Sequence, residues 1–134
     1  DIKLLASAAE TAGADCISAI NTVRALGVKV EYNNGQFHKT LVQGGLSGGC
    51  IKNTALYMVS QIRHSVKIPI IAMGGILKLS DLFEFMAVGA DAFEVGTANF
   101  IHPSICTSLA CELNDFMEQN DFSDFEQLKG AIYG

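Results

Sequence analysis

Three glycine-bearing segments carry the chemical interest of this sequence: Gly44-Gly45-Leu46-Ser47-Gly48-Gly49, Met73-Gly74-Gly75-Ile76 and Val95-Gly96-Thr97-Ala98-Asn99. Without a Cβ, a chain approaches a ligand closely and aims successive backbone N–H groups at one point, which is how a phosphate is held. Gly74, Gly75 and Gly96 offer that approach, and Thr97 adds its own N–H and hydroxyl. The competing use of these glycines is to make tight turns; two such pairs, each after a buried apolar run, favour phosphate. Gly45 and Ser47 belong to a third polar surface, read as a shaped, ligand-facing loop against the alternative of a mobile linker. Asn21 and Thr22 stand where an apolar run ends. An Asn amide donates and accepts at once, which suits a planar ligand with adjacent carbonyl and N–H groups, while a turn or cap is the plainer role.

The other chemically capable side chains lack partners at useful spacing. His38 and His102 have no Asp or Cys at motif distance and read as loop histidines, and His64, beside Arg63, reads as solvent-facing. Cys50 follows the first glycine segment with no base to make it a thiolate, so packing is its expected role. Lys52 is either a phosphate contact or a surface lysine at a helix start, and Asn99 is a weaker counterpart of Asn21. Glu112, Asp115, Glu118, Asp121, Asp124 and Glu126 do not follow a calcium-loop pattern and read as a solvated face. Cys16, Cys50, Cys106 and Cys111 show neither metal-ligand nor redox spacing and read as reduced thiols. No metal site and no catalytic residue is assigned.

The elements that position these residues follow from periodicity. Ile2, Leu5, Ala8, Ala9 and Ala12 form one stripe of a helix over 2–12, ended by Gly13. Cys16 to Ile20 read as a short buried strand. Val28, Val30 and Tyr32 alternate with Lys29 and Glu31, and Asn34-Gly35 supplies a hairpin turn, so residues 24–43 form an excursion beyond a strand end, followed by a glycine-rich loop over 43–49. Ile51, Ala55, Met58, Val59 and Ile62 mark a second helix. Pro69 opens the strand Ile70 to Met73, and Ser80 is the expected N-cap of a helix carrying Leu82, Phe83, Phe85 and Met86. Ala92 to Val95 make a third strand, 104–119 a long helix, and Phe125 to Ile132 a short terminal one. Thr11-Ala12-Gly13-Ala14-Asp15 and Ala87-Val88-Gly89-Ala90-Asp91 echo each other as helix-to-strand connections. The expectation is an α/β fold of three parallel strands, apolar enough to be covered on both faces, and four main helices.

The 134 residues suit one domain but fall short of the roughly 250 that close an eight-unit barrel. With 49% hydrophobic and 17% charged residues, the chain has less charged surface than a free-standing domain usually carries, so part of it is expected to be covered. A net charge of -5 argues against general attraction to nucleic acid or anionic membrane. No apolar stretch approaches the roughly 20 residues that span a bilayer, the Asp1-Ile2-Lys3 start has no signal-peptide pattern, and a cytoplasmic setting is expected.

The strings Ile20-Asn21-Thr22, Gly44-Gly45-Leu46-Ser47-Gly48, Ile70-Ile71-Ala72-Met73-Gly74-Gly75-Ile76 and Val95-Gly96-Thr97-Ala98-Asn99-Phe100 resemble the C-terminal half of dihydroorotate dehydrogenase. The likeness is to the class 1 bacterial catalytic subunit that pairs with an electron-transfer subunit. It implies the C-terminal part of a (β/α)8 TIM barrel, an incomplete FMN-binding domain over 1–134 with the hairpin inside it. It further implies oxidation of dihydroorotate to orotate with hydride transfer to FMN in pyrimidine synthesis.

By resemblance, Asn21 and Thr22 contact substrate, Gly45 lies beside the flavin, and Gly74, Gly75, Gly96 and Thr97 cradle the FMN phosphate. The family's catalytic Cys or Ser loop and its flavin-contacting Lys come from earlier strands. Partners implied are the N-terminal half of the barrel, a homodimer mate and an electron-transfer subunit, the last holding any FAD or iron-sulfur cluster. Gly49 and Asn53 stand where Pro is frequent in the family, and Cys50 where a small residue is usual. Alternatives are a dihydropyrimidine dehydrogenase-like flavoenzyme, a phosphate-binding barrel isomerase or aldolase, and a non-catalytic half-barrel that assembles with another chain.

Overall fold

In the computed structural model, which describes residues 1–134, the chain runs α1 (Ile2–Thr11), β1 (Ile17–Ala19), β2 (Val23–Asn33), β3 (Gln36–Leu46), a 3-10 turn (Gly49–Ile51), α2 (Lys52–Arg63), β4 (Ile70–Met73), α3 (Leu79–Ala87), β5 (Ala92–Glu94), α4 (Ala98–Ile101), α5 (Ile105–Gln119) and α6 (Phe125–Tyr133). The three short apolar runs pair as a parallel sheet in the order β1-β4-β5, with Ile17 opposite Ile70 and Ala72 opposite Phe93. Both β1 and β5 are edge strands, so the sheet is open. The expected strands and four main helices are all present, α4 being an added single turn.

Strand alternation divides the sheet. Ala19, Ile70 and Ala72 are buried in one cluster with Ala55, Val59 and Ile62 of α2 and Phe85 of α3. Ser18, Ala92 and Glu94 are exposed, and the Ser18 hydroxyl donates to the Glu94 carboxylate at 3.1 Å. The expectation that both faces are covered is therefore met on one face only, because no element of this chain returns over the other. Only 19 of 134 residues are buried, and large apolar side chains including Leu4, Leu5, Phe37 and Phe100 are exposed.

At the amino ends of the strands, Asp91 is the organising group. Its carboxylate accepts the Ile70 N–H at 2.7 Å and pairs with Arg63 at 3.2 Å and with Lys129 of α6. Phe125 packs edge-on to Phe93, and Phe122 stacks on Phe116, so the aromatic residues of the acidic tail pack within the chain.

Three local expectations need correction. In α1 the buried residue is Ala6, with Ile2 and Ala9 half-buried, whereas Leu5 is 70% exposed. The helix packs through its smallest side chain, and the face carrying Leu4 and Leu5 has no cover. Ser80 does not cap α3; Lys78 occupies that position in an extended conformation, and the N–H groups at the helix start go to Asp81. The glycine-rich loop over 43–49 is shorter than expected. β2 and β3 pair from Val23↔Leu46 to Asn33↔Gln36, so Gly44 and Gly45 are strand residues opposite Ala25 and Arg24.

The ribbon thus reaches past 24–43 at both ends. Its turn, Asn34-Gly35, has φ of 51° and 79°, the type I′ geometry that suits the strand twist. One face carries Leu26, Val28, Val30, Tyr32, Phe37 and Leu41, and the other Lys29, Glu31, His38 and Thr40. All of these side chains are exposed, Phe37 at 78%.

Candidate functional site

All three glycine segments converge on one cleft of about 170 Å3 at the carboxyl ends of the sheet strands. Ile20, Asn21 and Thr22 line it after β1, Met73 to Leu77 after β4, and Gly96 to Ala98 after β5; Ser47 and Gly48 reach it from the base of the ribbon. Ligands of open α/β sheets bind at this end because the loops there carry N–H groups that the ladder does not use. The N–H groups of Ser47, Gly48, Gly74, Gly75, Ile76, Gly96 and Thr97 enter no backbone hydrogen bond. Unpaired donors of this kind suit an anion, and no cationic side chain is among the lining residues of the cleft.

Close packing explains the middle segment. Gly74 and Gly75 have φ of 121° and 79°, which disfavour any side chain. A Cβ on Gly75 would lie 2.9 Å from the Gly48 carbonyl oxygen and 3.0 Å from the Lys52 backbone nitrogen. The first and second glycine segments are therefore in contact through bare backbone. The first and third are joined by side chains, because the Thr97 hydroxyl donates to the Ser47 hydroxyl at 2.8 Å.

Six of the seven residues singled out from sequence, Asn21, Thr22, Gly74, Gly75, Gly96 and Thr97, line this cleft. Gly45 lies just outside the lining, paired with Arg24, and a Cβ there would collide with the Thr22 side chain. Its glycine identity is what lets the ribbon close over Thr22. The Asn21 side-chain oxygen accepts the Thr22 N–H at 2.6 Å, which leaves the Asn21 Nδ2 as its available donor toward the cleft. Asn99 turns inward, its amide donating to the Val95 carbonyl and, at 3.3 Å, to the Gly96 carbonyl, so it buttresses the third segment from behind. His38, His64 and His102 are exposed and do not line the cleft. All four cysteines are free and exposed, not packed; the Cys50 thiol donates to the Ser47 carbonyl at 3.4 Å.

Lys52 settles between its two expected roles in a third. Its ammonium pairs with Asp81 at 2.7 Å and with Glu84 at 2.8 Å, directed at α3 and away from the cleft. The Asp81 hydrogen bond, followed by that to Glu84, raises the Lys52 pKa. Burial alone would push the Asp81 carboxyl up. The Lys52 ammonium and the Leu77 and Lys78 N–H groups, at 2.8 and 3.0 Å, outweigh it and hold the carboxyl below the usual carboxylate range. Asp81 is the one buried charged side chain in the molecule, 2% exposed. It was not among the residues singled out from sequence, although an acid three residues into a helix, directly after a glycine turn, is the pattern of a residue that reaches back to the loop. There is no cluster of His, Cys, Asp and Glu able to hold a metal, and no helix is long and apolar enough to cross a membrane.

Comparison with known proteins matches the sequence of this chain to one family. The family model described as dihydroorotate dehydrogenase matches residues 1–117. Among curated relatives, the catalytic subunit of dihydroorotate dehydrogenase B (NAD(+)) of Parabacteroides distasonis is 42% identical over 132 residues, covering 98% of this chain and 43% of the relative. The proteins of the same name from Lachnoclostridium phytofermentans, 42% identical, and Geotalea daltonii, 39% identical, are matched over the same shares of both chains. The chain spans 43% of the length of the curated relatives it matches. With a family model matched over most of its length and relatives 39% to 42% identical over 132 residues, the chain belongs to the dihydroorotate dehydrogenase family.

Proposed function

We propose that the full-length protein oxidises dihydroorotate to orotate in pyrimidine synthesis using FMN, and that residues 1–134 form the phosphate-binding side of its flavin site. The observation that carries this reading is that residues of the loops after β4 and β5 whose N–H groups have no backbone partner line one cleft. The residues present fit a phosphate ester. At Gly96 a Cβ would meet no atom within 4 Å and the backbone is not left-handed, so packing does not demand glycine there. Gly96 lines the cleft, and a ligand lying against its bare backbone would account for the glycine.

FMN, when bound, supplies the acceptor for the hydride leaving dihydroorotate. The residues of this chain hold and orient. Gly74, Gly75, Gly96 and Thr97 receive the phosphate through backbone N–H groups, with the Thr97 hydroxyl tied to Ser47. Asn21 and Thr22 face the substrate, the Asn21 Nδ2 donating to a carbonyl while its oxygen is held by the Thr22 N–H. Gly45 keeps the ribbon close beside the flavin. No residue of this chain is assigned as the base.

In this reading the chain is the C-terminal part of a (β/α)8 barrel, with the ribbon as an excursion from it. The rest of the barrel, carrying the base, covers the open face of β1, β4 and β5. The relatives' shared name, a catalytic subunit linked to NAD(+), supports a separate electron-transfer subunit. That subunit would hold FAD and an iron-sulfur cluster and pass electrons to NAD(+), in a cytoplasmic assembly built on a homodimer. The test is anaerobic addition of dihydroorotate to the purified full-length protein. Bleaching of the flavin absorbance is expected; a protein that releases no flavin on denaturation and takes up none from solution contradicts the reading.

A further inference from the structure

We propose that Asp81 is a positioning residue for the phosphate end of the ligand: it fastens the loop after β4 to the start of α2 and so fixes the width of the cleft. This deepens the flavin reading and rests on it. One carboxylate oxygen of Asp81 accepts the Leu77 and Lys78 N–H groups at 2.8 and 3.0 Å, which terminates the Gly74-Gly75 loop. The other accepts the Lys52 ammonium at 2.7 Å, and Lys52 directly follows the 3-10 turn that ends the first glycine segment. Between the two ties, the Gly75 backbone rests on Gly48 and Lys52 with no room for a Cβ.

The relative position of Gly48 and Gly75, two residues of the cleft wall, is thus set by one buried carboxylate that does not itself line the cleft. Lys52 is fully engaged by Asp81 and Glu84, so it contributes geometry to this end of the cleft and no positive charge. A phosphate held by neutral backbone donors depends on their mutual spacing, and no cationic side chain of residues 1–134 lines the cleft to adjust to it. Loss of the tie therefore weakens recognition of the phosphate more than recognition of the rest of a flavin.

The experiment compares FMN with riboflavin, which lacks the phosphate, by fluorescence titration of the full-length apoprotein. The variants are Asp81→Asn, Lys52→Met and, as a control for stability alone, Asp91→Asn, which removes a comparable carboxylate from the opposite end of the sheet. Asp81→Asn is expected to weaken FMN binding about tenfold or more while changing riboflavin binding little. Lys52→Met cuts the same tie from the other loop and decides the matter if Asp81→Asn does not fold. Asp91→Asn is expected to lower the unfolding midpoint and leave the preference for FMN over riboflavin intact. Equal loss of both ligands, or no change in either, overturns the positioning role while the flavin site stands. If the unmodified protein binds neither ligand, the flavin reading fails first and takes this inference with it.

Discussion

The Thr97 hydroxyl donates to the Ser47 hydroxyl at 2.8 Å, across 50 positions of sequence. It is the direct side-chain link between the loop after β5 and the base of the ribbon, and both residues line the cleft. Thr97→Val keeps the shape and removes the donor. Because Ser47 is exposed and regains a partner from water, the cost in stability is expected to be no more than about 1 kcal/mol. FMN affinity is expected to fall severalfold, and Ser47→Ala added to Thr97→Val should cost nothing further. Urea midpoints and flavin titration check both, and strict additivity of the two losses would show that the hydrogen bond is not their common cause.

Gly75 and Gly96 are expected to respond oppositely to alanine. Gly75 has φ of 79° and Gly48 oxygen 2.9 Å from the added carbon, so Gly75→Ala should cost about 2–4 kcal/mol through strain and overpacking. Gly96 has open space and an ordinary backbone. Gly96→Ala should remain within about 0.5 kcal/mol of the parent protein and yet weaken FMN binding, because the added methyl group stands on a residue of the cleft wall. Thermal unfolding with and without FMN separates the two outcomes. A Gly96→Ala protein that binds FMN normally would place the phosphate elsewhere.

The Lys52–Asp81 pair gives stability a definite pH dependence. Asp81 is held below its ordinary value, so its contribution is present above about pH 4 and is lost as pH falls through the lowered folded value. Lys52 is raised, so its contribution is present below about pH 10 and is lost as pH rises through the raised folded value. Between these limits the tie is intact. Asp81→Asn should therefore flatten the acid limb of a stability profile relative to the parent protein, with chemical denaturation at several pH values as the measurement. An unchanged acid limb would mean that other carboxylates dominate it.

Residues 1–134 expressed alone are expected to associate and to bind FMN weakly or not at all, without turnover. The ribbon face with Val28, Tyr32 and Phe37, the Leu4-Leu5 face of α1 and Phe100 are all exposed, and β1 and β5 offer open edges. Light scattering, binding of a hydrophobic dye and flavin titration check this. A monomer with low dye binding and full FMN affinity would show that the chain covers its own surfaces and completes its own site.

Much of this arrangement was legible in the residues. Ile70 to Met73 running into Gly74-Gly75 announces a buried strand and its turn, because an unbroken apolar run bounded by Pro69 and glycine has few other uses. Gly44 and Gly45 read as loop because glycine is depleted in strands; they are tolerated in the strand because the ribbon is exposed and Thr22 needs the room beside Gly45. The stripe of α1 misled for a different reason. Periodicity finds an apolar face without saying which part of it has a neighbour, and only Ala6 is buried. The role of Asp81 is not legible in sequence because it is three-dimensional: two N–H groups a few residues back and a lysine 29 positions away meet on one carboxylate.

The most direct measurement is the structure of the full-length protein crystallised with FMN. The account predicts the FMN phosphate within hydrogen-bond distance of the backbone N–H groups of Gly74 or Gly75 and of Gly96 or Thr97, with Lys52 still paired to Asp81. A phosphate bound at any other place, with these N–H groups facing only water, would contradict it.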